Sequence, residues 1–230
     1  FDSSQCEQGR NFTNKIWNAY RLISSWESKN IEQPNSSVKA IEWFESKYNQ
    51  SLEEINDLFD KFRISDALMA IYKLVWDDFC SSYLEIIKPG YQQPIDEKTL
   101  EQSILFFEKI LLIMHPFTPF VTEELWNVIR EERRETDIIV SSWPIKKEIN
   151  LKVLNAFNYC DKVITQIRNF RKDQQISNKI KLDLYVIENK EIDRSFDSVI
   201  SKIGNLTKLE YVEEKVAKAH SFLIDSNEFF

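Results

Sequence analysis

The chain has 230 residues, of which 43% are hydrophobic and 29% charged, a composition typical of a globular protein with one large domain or a domain and a smaller appendage. Its three glycines, at positions 9, 90 and 204, exclude a glycine-rich phosphate loop and a dinucleotide-binding fingerprint. The net charge of −7 excludes a protein that coats nucleic acid without selection, and the apolar runs are too short to span a membrane.

The first predicted element is a helix over Gly9–Ile23 with two different faces. At about 100° per residue, one face is an apolar stripe, and the other carries amide and guanidinium side chains, with Leu22 and Lys15 at its edge. The polar face consists of Arg10, Asn11, Asn14, Asn18, Arg21 and Ser25. Asn is a poor helix former, so its repetition here needs a reason. Either these side chains bond neighbouring helices, or they bind base edges and phosphates; spacing alone leaves both open.

Four further amphipathic helices follow, joined by short loops. After a loop at Lys29–Ser37, with Ser36 or Ser37 as the cap, a second helix covers Val38–Phe62. A third starts at an N-cap on Ser65 and stops before Pro89-Gly90. The fourth and fifth cover residues 100–114 and 118 to about 134. Long amphipathic helices with short joints predict an antiparallel helical bundle.

Beyond residue 150 the hydrophobic period changes. A sixth helix begins at Leu151, and residues 181–187 then alternate as a strand does. A short helix near 195–203 follows, and then weaker strand signals at 208–212 and 221–224. We therefore predict a mainly α fold, a helical bundle over 1–145 followed by a connecting helix and a small α/β subdomain over 146–230.

The titratable residues give little sign of catalysis. The three cysteines, Cys6, Cys80 and Cys160, are widely spaced and are expected to be free thiols in a reducing cytoplasm. With two His and no paired thiols, a metal site is not expected. His115 lies beside Pro116 at a helix end and lacks a motif-like partner, so we expect no catalytic residue.

Three motifs resemble one family. They are the polar helix (GRNF, NK and WNA, with Arg21), the segment Val75–Cys80 (VWDDFC) and the segment His115–Trp126 (HPFTPFVTEELW). Together they are similar to the anticodon-binding domain of the valyl-tRNA synthetases, a class I family; the third is also similar in the isoleucyl and leucyl relatives. Since the first two favour the valyl branch, that branch is the expectation and the other two remain alternatives.

The resemblance implies that this is the C-terminal region of a larger enzyme, ending before a coiled coil. That enzyme would join valine to tRNA(Val) in the cytoplasm, using ATP and Mg in its catalytic domain. The ATP-site signatures of the family are missing here, so this region would bind and orient tRNA without a cofactor of its own. The implied partners are tRNA(Val) and the catalytic and editing domains of the same chain, with no membrane and a monomeric state.

The resemblance also implies roles for individual residues. Asn11, Asn14 and Asn18 would offer hydrogen bonds, Arg10 and Arg21 would contact phosphate or base edges, and Leu22 would contact a base. A basic segment would grip the RNA backbone through Arg168, Arg171, Lys172 and Lys179.

Two positions depart from the family. Leu22 stands where the family commonly has an aromatic residue, and Ser177 where it commonly has Pro, which is expected to loosen the turn before Lys179. Two other functions remain open. One is a helical protein-binding scaffold without an RNA role, and the other is an independent enzyme, which would need titratable groups that converge in a pocket.

Overall fold

The computed structural model describes residues 3–129, 136–189, 192–216 and 219–230. It forms two compact units, one of residues 1–34 and 44–149 and one of residues 35–43 and 150–230. The predicted fold class, a helical bundle followed by a small α/β part, is confirmed. The units differ from the predicted domains of 1–145 and 146–230 in two places: residues 35–43 belong to the second unit, and residues 146–149 to the first. Within the described ranges, no helix has the apolar length that crossing a membrane requires.

The first unit is built from helices. They are α1 (Ser3–Ser24), α2 (Asn35–Asp60, of which 35–43 belong to the second unit), α3 (Ile64–Lys73), a π-helix (Leu74–Tyr83), α4 (Leu84–Ile87), α5 (Glu97–Met114), α6 (Pro119–Ile129) and a 3₁₀ turn (Ile138–Val140). An aromatic cluster forms its core: the Phe44 ring lies 5.3 Å from Phe79, 5.0 Å from Tyr83 and 4.9 Å from Phe106. Offset and edge contacts of this kind stabilise a core beyond simple burial.

The helix starts correct two predicted caps. The N-cap of α2 is Pro34, whose extended φ and ψ of −61° and 138° lead directly into the helix, so Ser36 and Ser37 are buried in the first turn instead of capping it. The N-cap of α3 is Arg63, whose Nε donates to Asp66 Oδ2 at 2.8 Å, and Ser65 lies inside the helix. By contrast, Asp96 caps α5, since its carboxylate accepts from Thr99 N at 2.8 Å.

The third predicted helix is not one regular helix. Its middle is the π-helix, in which the Ser81 hydroxyl donates to Trp76 O at 2.8 Å and the Ser82 hydroxyl to Asp77 O at 3.0 Å, each five residues back. π-Helical turns are rare and are enriched at functional sites. The predicted end of the fifth helix, near residue 134, lies outside the described residues.

The first unit also contains a strand pair that sequence patterns did not predict. Strands β1 (Ser28–Lys29) and β2 (Ile95–Asp96) pair in parallel, with Ser28 opposite Ile95. Two-residue strands leave no alternation to detect.

The second unit contains the helices α7 (Leu151–Asp173) and α8 (Asp197–Ile203) and the strands β3 (Leu182–Ile187), β4 (Leu206–Val212), β5 (Phe222–Ile224) and β6 (Asn227–Phe229). Among the described residues the sheet order is β4-β3-β6-β5, with β3 and β4 parallel and joined through α8. The predicted helices and three predicted strands are therefore confirmed. Residues 35–43 pack within the second unit through Trp43, whose ring stacks on that of Phe157 of α7 at 3.7 Å.

Candidate nucleic-acid interface

Helix α1 presents one exposed polar stripe. Arg10, Asn11, Asn14, Asn18 and Arg21, which we call the α1 polar face, are all exposed. Within the described residues, none of these five side chains has a hydrogen bond or an ion pair. The amide and guanidinium groups are therefore open to a binding partner, and in the part of the chain that the structure describes the Asn side chains do not bond neighbouring helices.

The opposite side of α1 fixes this orientation. Of the five predicted apolar positions, Phe12, Ile16, Ala19 and Ile23 are 6%, 0%, 4% and 2% exposed, and Tyr20 is half-buried. The Phe12 ring also stacks on Tyr72 at 5.0 Å. Because burying this stripe is strongly favourable, the helix cannot rotate about its axis without exposing it. The polar face is thus held outward by the core.

The edge of the polar face is more closely packed. Leu22 is half-buried, so it offers only part of its side chain to a ligand. Lys15, on the same edge, places its Nζ 5.1 Å from the centre of the Trp76 ring on the π-helix. This distance is within the range of a cation–π contact. Sequence spacing could not predict this contact, because the two residues are distant in the chain.

Three residues of the predicted basic segment are exposed. Arg168 and Lys172 lie four residues apart on α7, and Lys179 lies in the turn that follows. The turn is held by Ser177, whose hydroxyl accepts from Lys179 N at 3.3 Å and whose carbonyl accepts from Ile180 N at 3.0 Å. Ser177 therefore supplies contacts that order this turn.

Arg171 does not have the predicted exposure. It is 5% exposed, and its guanidinium donates to four main-chain carbonyls: Ser177 at 3.1 Å, Ile180 at 2.9 Å, Gly204 at 2.8 Å and Asn205 at 3.4 Å. Its N–H groups are thus not available to an RNA phosphate, and the prediction that it grips the backbone is wrong. Helical spacing could have indicated this burial. Arg171 lies four residues after Ile167 and so on the same face of α7, and Ile167 is buried.

The segment His115–Trp126 is architectural. The Thr122 hydroxyl is buried and donates to Thr118 O at 2.8 Å, and it is hydrogen-bonded to His115 Nδ1 at 2.7 Å. This pairing joins the end of α5 to the start of α6. His115 therefore orders a helix junction.

The comparisons with known proteins point to one family. Residues 42–186 match the family model described as the anticodon-binding domain of tRNA ligase. Among curated relatives, the valine–tRNA ligase of Christiangramia forsetii is 47% identical over 100% of this chain and 26% of its own length. Those of Phocaeicola vulgatus and Parabacteroides distasonis are 44% and 43% identical, with the same coverage of 100% and 26%.

The chain thus spans about a quarter of the length of the relatives it matches. The family model covers most of the chain, from α2 to β3. The chain belongs to the family of anticodon-binding domains of tRNA ligases.

Proposed function

We propose that this chain is the anticodon-binding part of a valine–tRNA ligase and that it binds the anticodon loop of tRNA(Val). The observation that carries the proposal is the α1 polar face, with five exposed amide and guanidinium side chains that have no partner among the described residues. Unpaired RNA loops expose base edges and phosphates, which such side chains recognise. The valine–tRNA ligase relatives support the valyl branch over the isoleucyl and leucyl alternatives.

In this proposal the residues have separate roles. Asn11, Asn14 and Asn18 hydrogen-bond to base edges, and Arg10 and Arg21 bind phosphates or bases. Leu22 makes a partial apolar contact with a base. In the second unit, the exposed cations Arg168, Lys172 and Lys179 bind the RNA backbone, whereas Arg171 stabilises the fold.

The whole enzyme would join valine to tRNA(Val) with ATP. ATP and Mg would bind in its catalytic domain, outside this chain, which binds and orients tRNA without catalysing the reaction. The enzyme would act as a cytoplasmic monomer whose catalytic and editing domains belong to the same polypeptide.

The experiment measures tRNA(Val) affinity of the intact ligase with Asn18→Ala and Arg21→Ala. Each substitution should weaken binding about tenfold, because each removes hydrogen bonds to RNA, those of Arg21 being charge-assisted. The matched control is Lys98→Ala, at an exposed residue of α5, which should change affinity less than about twofold. Unchanged affinity in both α1 variants would refute the role of this face. Wild type and the Asn18→Ala variant should have the same affinity for a tRNA with a foreign anticodon.

A second candidate, a protein-binding scaffold, is favoured by one feature. An apolar groove with a volume of about 400 Å³ is lined by Phe12, Leu68, Met69, Met114 and Phe117, among others. Leu68 and Met69 are 37% and 60% exposed. Apolar surface of this kind is typical of docking sites. The tRNA affinity of the ligase at low salt distinguishes the two candidates. If the chain were only a scaffold, this affinity would not depend on the α1 polar face.

A further inference from the structure

Three aromatic rings form a ladder beside the α1 polar face. Phe12 stacks on Tyr72 at 5.0 Å with an interplanar angle of 30°, and Tyr72 stacks on Trp76 at 5.5 Å and 12°. Exposure increases along the ladder, from the buried Phe12 to the half-buried Tyr72 and Trp76. The stacked partner holds the Trp76 ring in place while part of it remains accessible to solvent.

Lys15 connects this ladder to the polar face. Its Nζ lies 5.1 Å from the centre of the Trp76 ring, and it has no ion pair within the described residues. On a helix, residues three and four apart are neighbours, so Lys15 is adjacent to Asn18 and Asn11. The cation and the aromatic ring therefore border the unpaired amides.

We propose that Trp76 and Lys15 form a stacking subsite for one unpaired base of the tRNA anticodon loop. The inference rests on the proposed function and adds two residues to it. The α1 polar face offers hydrogen bonds but no aromatic surface, whereas an unpaired nucleotide presents edges, a π-face and a phosphate. Trp76 would receive the face of the base, and Lys15 would neutralise the neighbouring phosphate. Stacking on an aromatic side chain contributes substantially to the binding of single strands.

Trp76 belongs to the π-helix, whose core side is fixed by packing. Its ring lies beside Lys15 of α1, while Val75, Phe79 and Tyr83 of the same helix are fully buried. The ring is thus presented by a rigid, core-anchored element, and rigid presentation limits the entropy lost on binding.

The test uses the intact ligase, with tRNA(Val) whose loop nucleotides are replaced one at a time by abasic nucleotides. Trp76→Leu should weaken binding of unmodified tRNA about tenfold. One of the abasic tRNAs lacks the base that stacks on Trp76. For that tRNA, Trp76→Leu should cause no further loss of affinity, because the stacking partner is already missing. Trp76→Phe should retain most of the affinity. A loss that is the same with every abasic tRNA would overturn the proposal, since it would then be structural.

Lys15→Met gives an independent measurement, because it keeps the apolar stem and removes the charge. The slope of log affinity against log salt should become shallower by about 0.7, the value for one phosphate contact on a single strand. An unchanged slope would overturn the role of Lys15. Trp17→Leu is the matched control for Trp76→Leu, at another half-buried Trp, which contacts Tyr20 on the far edge of α1. It should leave affinity unchanged.

The two proposals fail in different ways. If Trp76→Leu and Lys15→Met bind as wild type while Arg21→Ala and Asn18→Ala bind weakly, the subsite is wrong and the anticodon function stands. If the Arg21 and Asn18 variants also bind as wild type, the proposed function of α1 is wrong.

Discussion

The burial of Arg171 shows that one side chain can join segments far apart in the chain. Its guanidinium binds carbonyls in the turn after α7 and in the turn between α8 and β4. Gly204, which supplies one of these carbonyls, has no room for a side chain, because a Cβ there would lie 2.8 Å from Ile200 O. A buried charge is tolerated when its hydrogen bonds are satisfied, and here main-chain oxygens satisfy them.

Arg171→Met should lower the free energy of unfolding of this chain by about 3 kcal/mol. The substitution keeps the apolar stem but removes four hydrogen bonds from the guanidinium, and those to Ile180 O and Gly204 O are the shortest of the four. Hydrogen bonds to charged groups are among the stronger ones. Urea denaturation measures the change. The control is Arg168→Met, at an exposed cation on the same helix, which should cost less than about 0.5 kcal/mol. Equal losses in the two variants would contradict this role.

At the scale of elements, α7 ends in a Schellman motif without glycine. Ile176 N donates to Arg171 O at 2.8 Å and Gln175 N to Lys172 O at 3.2 Å, while Gln175 has a φ of 53°. The left-handed conformation is unfavourable for residues with a Cβ. Gln175→Gly should therefore raise the free energy of unfolding by about 1 kcal/mol.

The matched control for that change is Gln174→Gly. Gln174 has a φ of −88° and gains nothing from glycine, so this variant should lose stability through the greater freedom of the unfolded chain. Thermal or urea unfolding of both variants gives the comparison. If the two substitutions shift stability in the same direction, the backbone of residue 175 is not the cause.

How well an element could be predicted depended on how local its signal is. The two faces of α1 follow from helical spacing within one segment, and the structure has the predicted apolar face buried. The β1–β2 pair joins Ser28 to Ile95, and its partners carry no local pattern. The Lys15–Trp76 contact and the stacking of Trp76 on Tyr72 likewise depend on packing between helices. Sequence therefore indicated which face of α1 is polar but not what borders it.

At the scale of the whole chain, the division into units shows the same limit. Residues 35–43 are the first nine residues of α2, and the hydrophobic period that begins at Val38 does not change at residue 43, so spacing assigned them to the bundle. The Trp43–Phe157 stack, at 3.7 Å and 16°, instead places them in the second unit. Residues 136–150 have no regular hydrophobic period, which is why the sequence predicts a boundary at 145, whereas a boundary within one helix leaves no such sign.

The pH dependence of folding stability involves both units, because each contains buried phenol and thiol groups. Burial raises the pKa of Tyr48 and Tyr83 above the ordinary 10.0, and it raises the pKa of Cys80 to about 12. In the second unit, burial likewise raises the pKa of Cys160 and Tyr211. These groups stay protonated in the folded chain at a pH where the unfolded chain ionises. Stability from them is present below the unfolded pKa and is lost as the pH rises.

Tyr83→Phe isolates one of these contributions. Above pH 10, Tyr83 ionises in the unfolded wild-type chain. In the folded chain its phenol stays neutral, with the hydroxyl 2.9 Å from Ser103 Oγ. From pH 8 to pH 11, the variant should therefore lose about 1.4 kcal/mol less stability than wild type, as measured by urea unfolding at each pH. Tyr91→Phe, at a residue 90% exposed, should follow wild type. Parallel losses in wild type and Tyr83→Phe would mean that the phenol ionises equally in both states, which its burial in the aromatic core beside Phe44 and Phe79 opposes.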